Sequence, residues 1–214
     1  MIDPRFVLLG AAFSLIGTFI YAALTVRGVV RPNRVSWFLW GAAAMIAFFA
    51  QLADGVGLPA LSTLAFGLGP FAIIAASFTN RLSYWRISAF DLSCGSVSVV
   101  ALVLWLTFDS PLLAVLAALT ADVIGGVPTM VKAWQHPETE RSFVYVFGAL
   151  NGSITLLSLQ AWSVVEVAFP LYLVLLGVSL ATAVRVRNRK RKRLALTDGR
   201  LVKGTDYVEP TPGN

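Results

Sequence analysis

Seven stretches of this chain are long and apolar enough to cross a lipid bilayer, and together they leave little else to fold. Six carry no charge at all: residues 6–26, 35–53, 55–80, 92–108, 142–165 and 167–184. The seventh, 110–131, is interrupted only by Asp122. A helix rises about 1.5 Å per residue and a hydrocarbon core is about 30 Å thick, so about 20 residues make one crossing. Seven such spans consume most of the 214 residues. The chain is 57% hydrophobic and 13% charged. Soluble domains hold about 45–50% apolar and about 25% charged residues. An ordinary globular domain is therefore excluded, and the expected fold is an all-α integral membrane protein of seven transmembrane helices. The first span reads as a retained helix rather than a cleaved signal, because its apolar run is long and Asp3 stands where a basic start belongs.

The charges that remain set the orientation. Arg27, Arg31 and Arg34 follow the first span, Arg81 and Arg86 the third, Lys132 and Arg141 the fifth, and a basic run the seventh. The alternate loops carry Asp54, Asp109 and Glu166 and no base. Positive loops stay in the cytoplasm, so the N-terminus is expected outside and the C-terminus inside, in the cell membrane. The net charge of +6 does not point to nucleic acid. Seven bases sit within Arg185–Arg193 at the end of the last span, where they suit anionic lipid headgroups. The lone Cys94 cannot form an internal disulfide, and no Cys/His spacing suggests a metal. Neither cofactor nor metal is expected.

A weak repeat organises the spans. Gly17 and Tyr21 precede an Arg-rich turn, then Pro32, Ser36, Trp37, Trp40 and Gly41. Gly125 and Pro128 precede a polar turn, then Pro137, Ser142, Phe143 and Gly148. Pro70 and Pro170 occupy the third span of each unit, and the fourth span has no counterpart. A three-helix unit ends opposite its start, so one extra helix returns the chain before a second unit can lie parallel to the first. The expected divisions are 1–80, a first three-helix repeat; 81–110, a linker helix; 111–184, a second repeat; and 185–214, a basic and mostly disordered cytoplasmic tail.

Pro128-Thr129-Met130-Val131-Lys132, with Pro137-Glu138-Thr139-Glu140 and Ser142 behind it, resembles the PQ-loop pattern. Thr129 stands where that pattern has Gln, and Tyr21 where its first copy has Pro. With seven spans arranged 3+1+3, the chain resembles the SWEET and PQ-loop superfamily, which includes the Pnu-type vitamin carriers. It is also similar to a group of small bacterial membrane proteins that share the turn Pro32-Asn33-Arg34-Val35-Ser36-Trp37-Phe38-Leu39-Trp40. The resemblance implies parallel repeats that rock about a site near the bilayer midplane.

Several residues could make that site. Asp122 lies near mid-depth, where an acid costs about 2.5–3.5 kcal/mol on insertion scales and so needs a cavity or a polar partner. Gly125, Gly126 and Thr129 share its helical face, and Pro128 frees the carbonyl of Ile124. Asn151 is at similar depth in the sixth span, and its amide can both donate and accept. Trp40 is one turn deeper than Trp37 and can stack on a ring, whereas Trp37 reads as an interfacial belt residue. So do Trp85, Trp105, Trp134 and Trp162. Tyr21, equivalent in the repeat to Pro128, is expected to line the same path. Gln51 and Gln160 read as outer-vestibule candidates. Pro70, Pro128 and Pro170 are the expected hinges. Asp91 is expected to pair with a loop arginine and His136 to be solvated.

These features favour a small-solute transporter, a facilitator or proton-coupled, working by alternating access. The last span has no lysine for a retinal Schiff base. Asp91 and Asp122 lie at different depths, which argues against an intramembrane aspartyl protease, and no enzyme is expected. The alternative is a non-transporting receptor or sorting adaptor of the same fold. Expected partners are a small polar or aromatic solute and anionic headgroups, with association of like copies left open and no nucleic acid.

Overall fold

Helices follow the apolar stretches one for one. The computed structural model describes residues 3–53, 58–83, 85–105, 111–159, 162 and 164–197. It holds α1 (Val7–Val26), α2 (Arg34–Ala53), α3 (Leu58–Ser77), α4 (Ala89–Trp105), α5 (Pro111–Gln135), α6 (Ser142–Ser158) and α7 (Val164–Thr197). Among the described residues there is no strand. Among the described residues two helices, Val7–Val26 and Val167–Leu194, are long and apolar enough to cross a membrane, and Thr63–Ser77, Ala89–Val100 and Ser142–Ser158 are shorter apolar helices.

Local chemistry explains the ends. Gly28, with φ +75°, closes α1: its N–H donates to Thr25 O and that of Val29 to Leu24 O at 2.9 Å, the paired bonds of a left-handed C-terminal cap. A Cβ there would meet Leu82 and Asn80 at 3.0–3.1 Å, so glycine is demanded by space as well as by φ. Asn33 opens α2, its Oδ1 accepting from the backbone N–H groups of Val35 and Ser36. The amide of the same Asn33 donates to Asp91 Oδ1 at 2.7 Å, while Asp91 Oδ2 accepts from Ser88. Asp91 thus ties α4 to the α1–α2 turn through Asn33 and Ser88 rather than pairing with a loop arginine. An amide already fixed as a cap is the better-ordered donor.

The basic run does not begin a tail. Residues Arg185–Arg193 continue α7, which ends at Thr197. Arg and Lys are good helix formers and no Gly or Pro interrupts the run, so charge marks a membrane boundary there without ending the helix. The extension docks on the α5–α6 turn. Arg187 donates to Trp134 O and Arg191 to Gln135 O, both at 2.9 Å, satisfying carbonyls that the end of α5 leaves open. Arg191 also pairs with Glu138, and Asn188 donates to Pro137 O. The expected disorder of residues 198–214 lies outside the described residues.

The helices pack as two triplets. In the first, α3 contacts both α1 and α2, which scarcely touch each other; in the second, α7 contacts both α5 and α6 in the same way. The triplets meet crosswise, α1 on α6 and α2 on α5, and α4 lies outside against α5 and α2. At the junction sits a buried core of Tyr21, Trp37, Trp40, Ile73, Tyr145 and Leu180. Outward faces are apolar: Phe19, Leu92, Val100 and Leu175 are each more than half exposed.

Candidate functional site

Asp122 is 3% exposed, and its Oδ1 has no hydrogen-bond partner. It borders a cavity of about 70 Å³ between the triplets. The lining draws on Ser14 and Thr18 of α1, Trp37 and Trp40 of α2, and Phe66 and Pro70 of α3. From the other triplet come Asp122 of α5, Tyr145 and Gly148 of α6, and Tyr172 and Leu176 of α7. All six triplet helices contribute and α4 contributes nothing. One water needs about 10–15 Å³ of such space, so the cavity holds a few waters or a compact solute.

Its walls are chemically unfinished. Among the described residues nine buried side-chain polar atoms lack a partner, and five of them belong to this lining: Ser14 Oγ, Trp37 Nε1, Trp40 Nε1, Asp122 Oδ1 and Tyr172 Oη. Trp40 and Tyr172 approach each other without hydrogen-bond geometry, and Tyr172 lies within electrostatic reach of Asp122. A buried polar group left unsatisfied costs about 1–3 kcal/mol, and five of them sit on residues that border one void. Trp37 and Trp40 meet edge to face at 5.3 Å, and the Trp40 indole runs close over Gly126, one turn beyond Asp122. The Trp40 ring thus packs on the helix face that carries the acid.

Directly beside the cavity lies a second polar group of opposite character. Glu140 is fully buried, and its Oε2 accepts from Tyr21 Oη at 2.7 Å and Tyr145 Oη at 2.8 Å. Its Oε1 pairs with the buried Lys132, whose ammonium also donates to Arg31 O. The backbone of Arg31 donates to Thr139 O at 3.0 Å, so the α1–α2 turn is stitched to the α5–α6 turn. Tyr145 belongs to both regions: it lines the cavity and binds Glu140.

Of the expected site residues, Asp122 and Trp40 border the cavity, together with the hinge candidate Pro70. Tyr21 does not; it is spent on Glu140, 5.2 Å from the Trp37 ring. Asn151 is buried, but its Oδ1 is pressed against Gly10 of α1, where only a residue without a side chain lets the helices approach. Thr129 is fully buried with Oγ1 unpartnered and is not part of the lining. Pro128 and Pro170 lie inside continuous helices, away from the lining, with the carbonyl of Pro170 packed against Gly152.

Trp37 is not a belt residue. It is 5% exposed and faces inward between Tyr21 and Trp40. Trp134 and Trp162 are more than half exposed, while Trp85 packs edgewise on the exposed His136. The side chains of Trp105 and Gln51, and the whole of Gln160, lie outside the described residues. Sequence reasoning did not single out Ser14, Tyr172, Tyr145 or Glu140. The one available signal for Glu140 was its place eight residues after Lys132 across a turn. Among the described residues no group of His, Cys, Asp and Glu could hold a metal ion. No protein-family model, curated protein or solved structure matches the chain.

Proposed function

We propose that this chain is a multi-pass cell-membrane transporter of a small solute, with seven spans arranged 3+1+3, its N-terminus outside and its C-terminus in the cytoplasm. The observation that carries the reading is the cavity between the triplets, to which every triplet helix contributes and whose lining residues carry unpartnered polar atoms. The crosswise meeting of α1 with α6 and α2 with α5 is what two like-oriented units related by an axis along the membrane normal produce. The apolar outward faces suit lipid, and the loop charges suit the stated orientation. The PQ-loop likeness of residues 128–142 adds to this, since such proteins carry solutes by rocking paired triplets.

In this mechanism the solute settles beside Asp122 and Trp40, and the triplets rock about it. The Glu140 cluster, which joins Tyr21 and Arg31 of the first unit to Lys132 and Tyr145 of the second, closes the cytoplasmic side and parts when that side opens. Accessibility tests this without knowledge of the substrate. In a Cys94→Ser background, Thr18→Cys should react with a membrane-impermeant maleimide added to either face of sealed vesicles. Reaction from one face only rejects alternating access and leaves a receptor that binds without transport.

A further inference from the structure

The cavity lining is selective in its chemistry. Among the described residues Asp122 is the one charged member of the lining, and no described Lys, Arg or His joins it to meet an anion. Five aromatic residues, Trp37, Trp40, Phe66, Tyr145 and Tyr172, share the wall with that carboxylate. An acid buried to this extent can stay ionised only if a positive charge answers it and otherwise holds a proton, and aromatic faces attract cations. The indole nitrogens of Trp37 and Trp40 can only donate, and both lack acceptors. An occupant that completes this wall brings a cationic donor for Asp122 and an oxygen acceptor for an indole N–H, within about 70 Å³.

We infer that the cavity takes a compact organic cation bearing an oxygen, a primary or secondary amino alcohol of about the size of ethanolamine. The inference rests on the reading of this cavity as the solute site and names its substrate class. The ammonium group sits against Asp122 among the rings, and the hydroxyl accepts from an indole N–H while donating to Ser14 or Tyr172. A carboxylate or phosphate is rejected, since it would face Asp122 with no base to offset the repulsion. A neutral polyol of equal size leaves the acid unanswered.

The experiment uses the full chain in lipid nanodiscs, following tryptophan fluorescence and the thermal unfolding midpoint. The probes are ethanolamine, N-methylethanolamine, ethylene glycol and glycolate at constant ionic strength. The two cations should raise the midpoint and perturb the fluorescence saturably, with ethylene glycol and glycolate inert. Asp122→Asn should weaken the cations by about 10- to 100-fold, the range of one lost charge-assisted hydrogen bond. Trp40→Phe keeps a ring and removes the N–H, so it should weaken them by about 3-fold. Equal response to ethylene glycol, silence toward both cations, or an unchanged affinity in Asp122→Asn overturns the substrate class. The wild-type selectivity stands even if a variant fails to fold. Failure of this inference is separable from failure of transport: a cavity that labels from both faces but ignores ammonium compounds carries another solute. Saturable cation binding with labelling from one face marks a receptor for the same ligand class.

Discussion

Two buried polar regions lie side by side where the triplets meet, and they are built on opposite principles. Around Glu140 every charge is answered: the carboxylate holds two tyrosine hydroxyls and an ammonium, and that ammonium also holds a backbone carbonyl. Around Asp122 the residues that border the cavity carry polar atoms that remain unanswered. A satisfied network fixes one geometry, whereas an unsatisfied one is completed only by something that arrives. Burial alone therefore does not identify a site. Glu140 is even more deeply buried than Asp122, yet its bonds are all internal. Tyr145 stands at the border, lining the cavity while bonded to Glu140, so in the proposed cycle a movement of its ring to admit a solute would also disturb that bond.

The comparison breaks most readily at its paired side. Glu140→Ala strands the Lys132 ammonium in a dry interior, a change that typically costs about 3–5 kcal/mol. The expected result is a large fall in the thermal midpoint and in the monodisperse fraction after extraction. Glu140→Gln with Lys132→Met removes both charges and should recover most of that loss. If Glu140→Ala is as stable as the parent, the cluster does not hold the units together, and its role in closure fails with it.

Asp122→Asn is the matching test on the open side, and its effect should appear in function rather than in folding. The substitution keeps size and removes a charge that has no internal partner, so stability should hold within about 1 kcal/mol or rise. Solute flux in proteoliposomes should fall by about 10-fold or more. A loss of stability comparable with that of Glu140→Ala would erase the distinction between the regions.

Tyr145→Phe probes the border. It deletes one hydroxyl that donates to Glu140 and leaves the ring lining the cavity, so about 1 kcal/mol of stability should go. Because the closed side is weakened while the solute wall keeps its ring, the maleimide reaction of Thr18→Cys from the cytoplasmic face should quicken. Tyr21→Phe removes the partner bond to the same oxygen without touching the lining, and should reproduce the stability loss. If only Tyr145→Phe changes the labelling rate, the hydroxyl on the cavity-lining residue governs access, and loss of a Glu140 bond by itself does not.

What the sequence made legible follows from what each signal measures. Gaps between charges measure span length, and the helices fall where those gaps are. Charge also suggested that the last helix ends at 184, which it does not, because arginine and lysine mark a boundary without opposing helical backbone. Depth was legible too, and it led to Asp122 and Asn151 alike. Depth says nothing about azimuth, however: Asp122 faces the void and Asn151 faces Gly10 of a neighbouring helix. Ser14 and Tyr172 sit within apolar runs and carry no local sign of facing a cavity; only the packing of six helices brings them to Asp122. Glu140 was legible only as part of a turn pattern, because the docking of one turn on another, which buries it, joins residues more than a hundred positions apart.

The smallest effect should come from the paired charges that remain in water. Arg191 and Glu138 form an ion pair with both side chains about half exposed, 48% and 49%, on the extension of α7. Exposed pairs of this kind are worth about 0–1 kcal/mol, since solvent screens the attraction and ordering two long side chains opposes it. Arg191→Ala also removes the donor to Gln135 O, so the last turn of α5 should fray slightly, with hydrogen exchange quickening at residues 133–135. The midpoint should shift by less than a quarter of what Glu140→Ala produces. A larger shift would mean that the α7 extension, rather than the buried cluster, holds the α5–α6 turn in place, and the closure assigned to Glu140 would then belong to the basic helix.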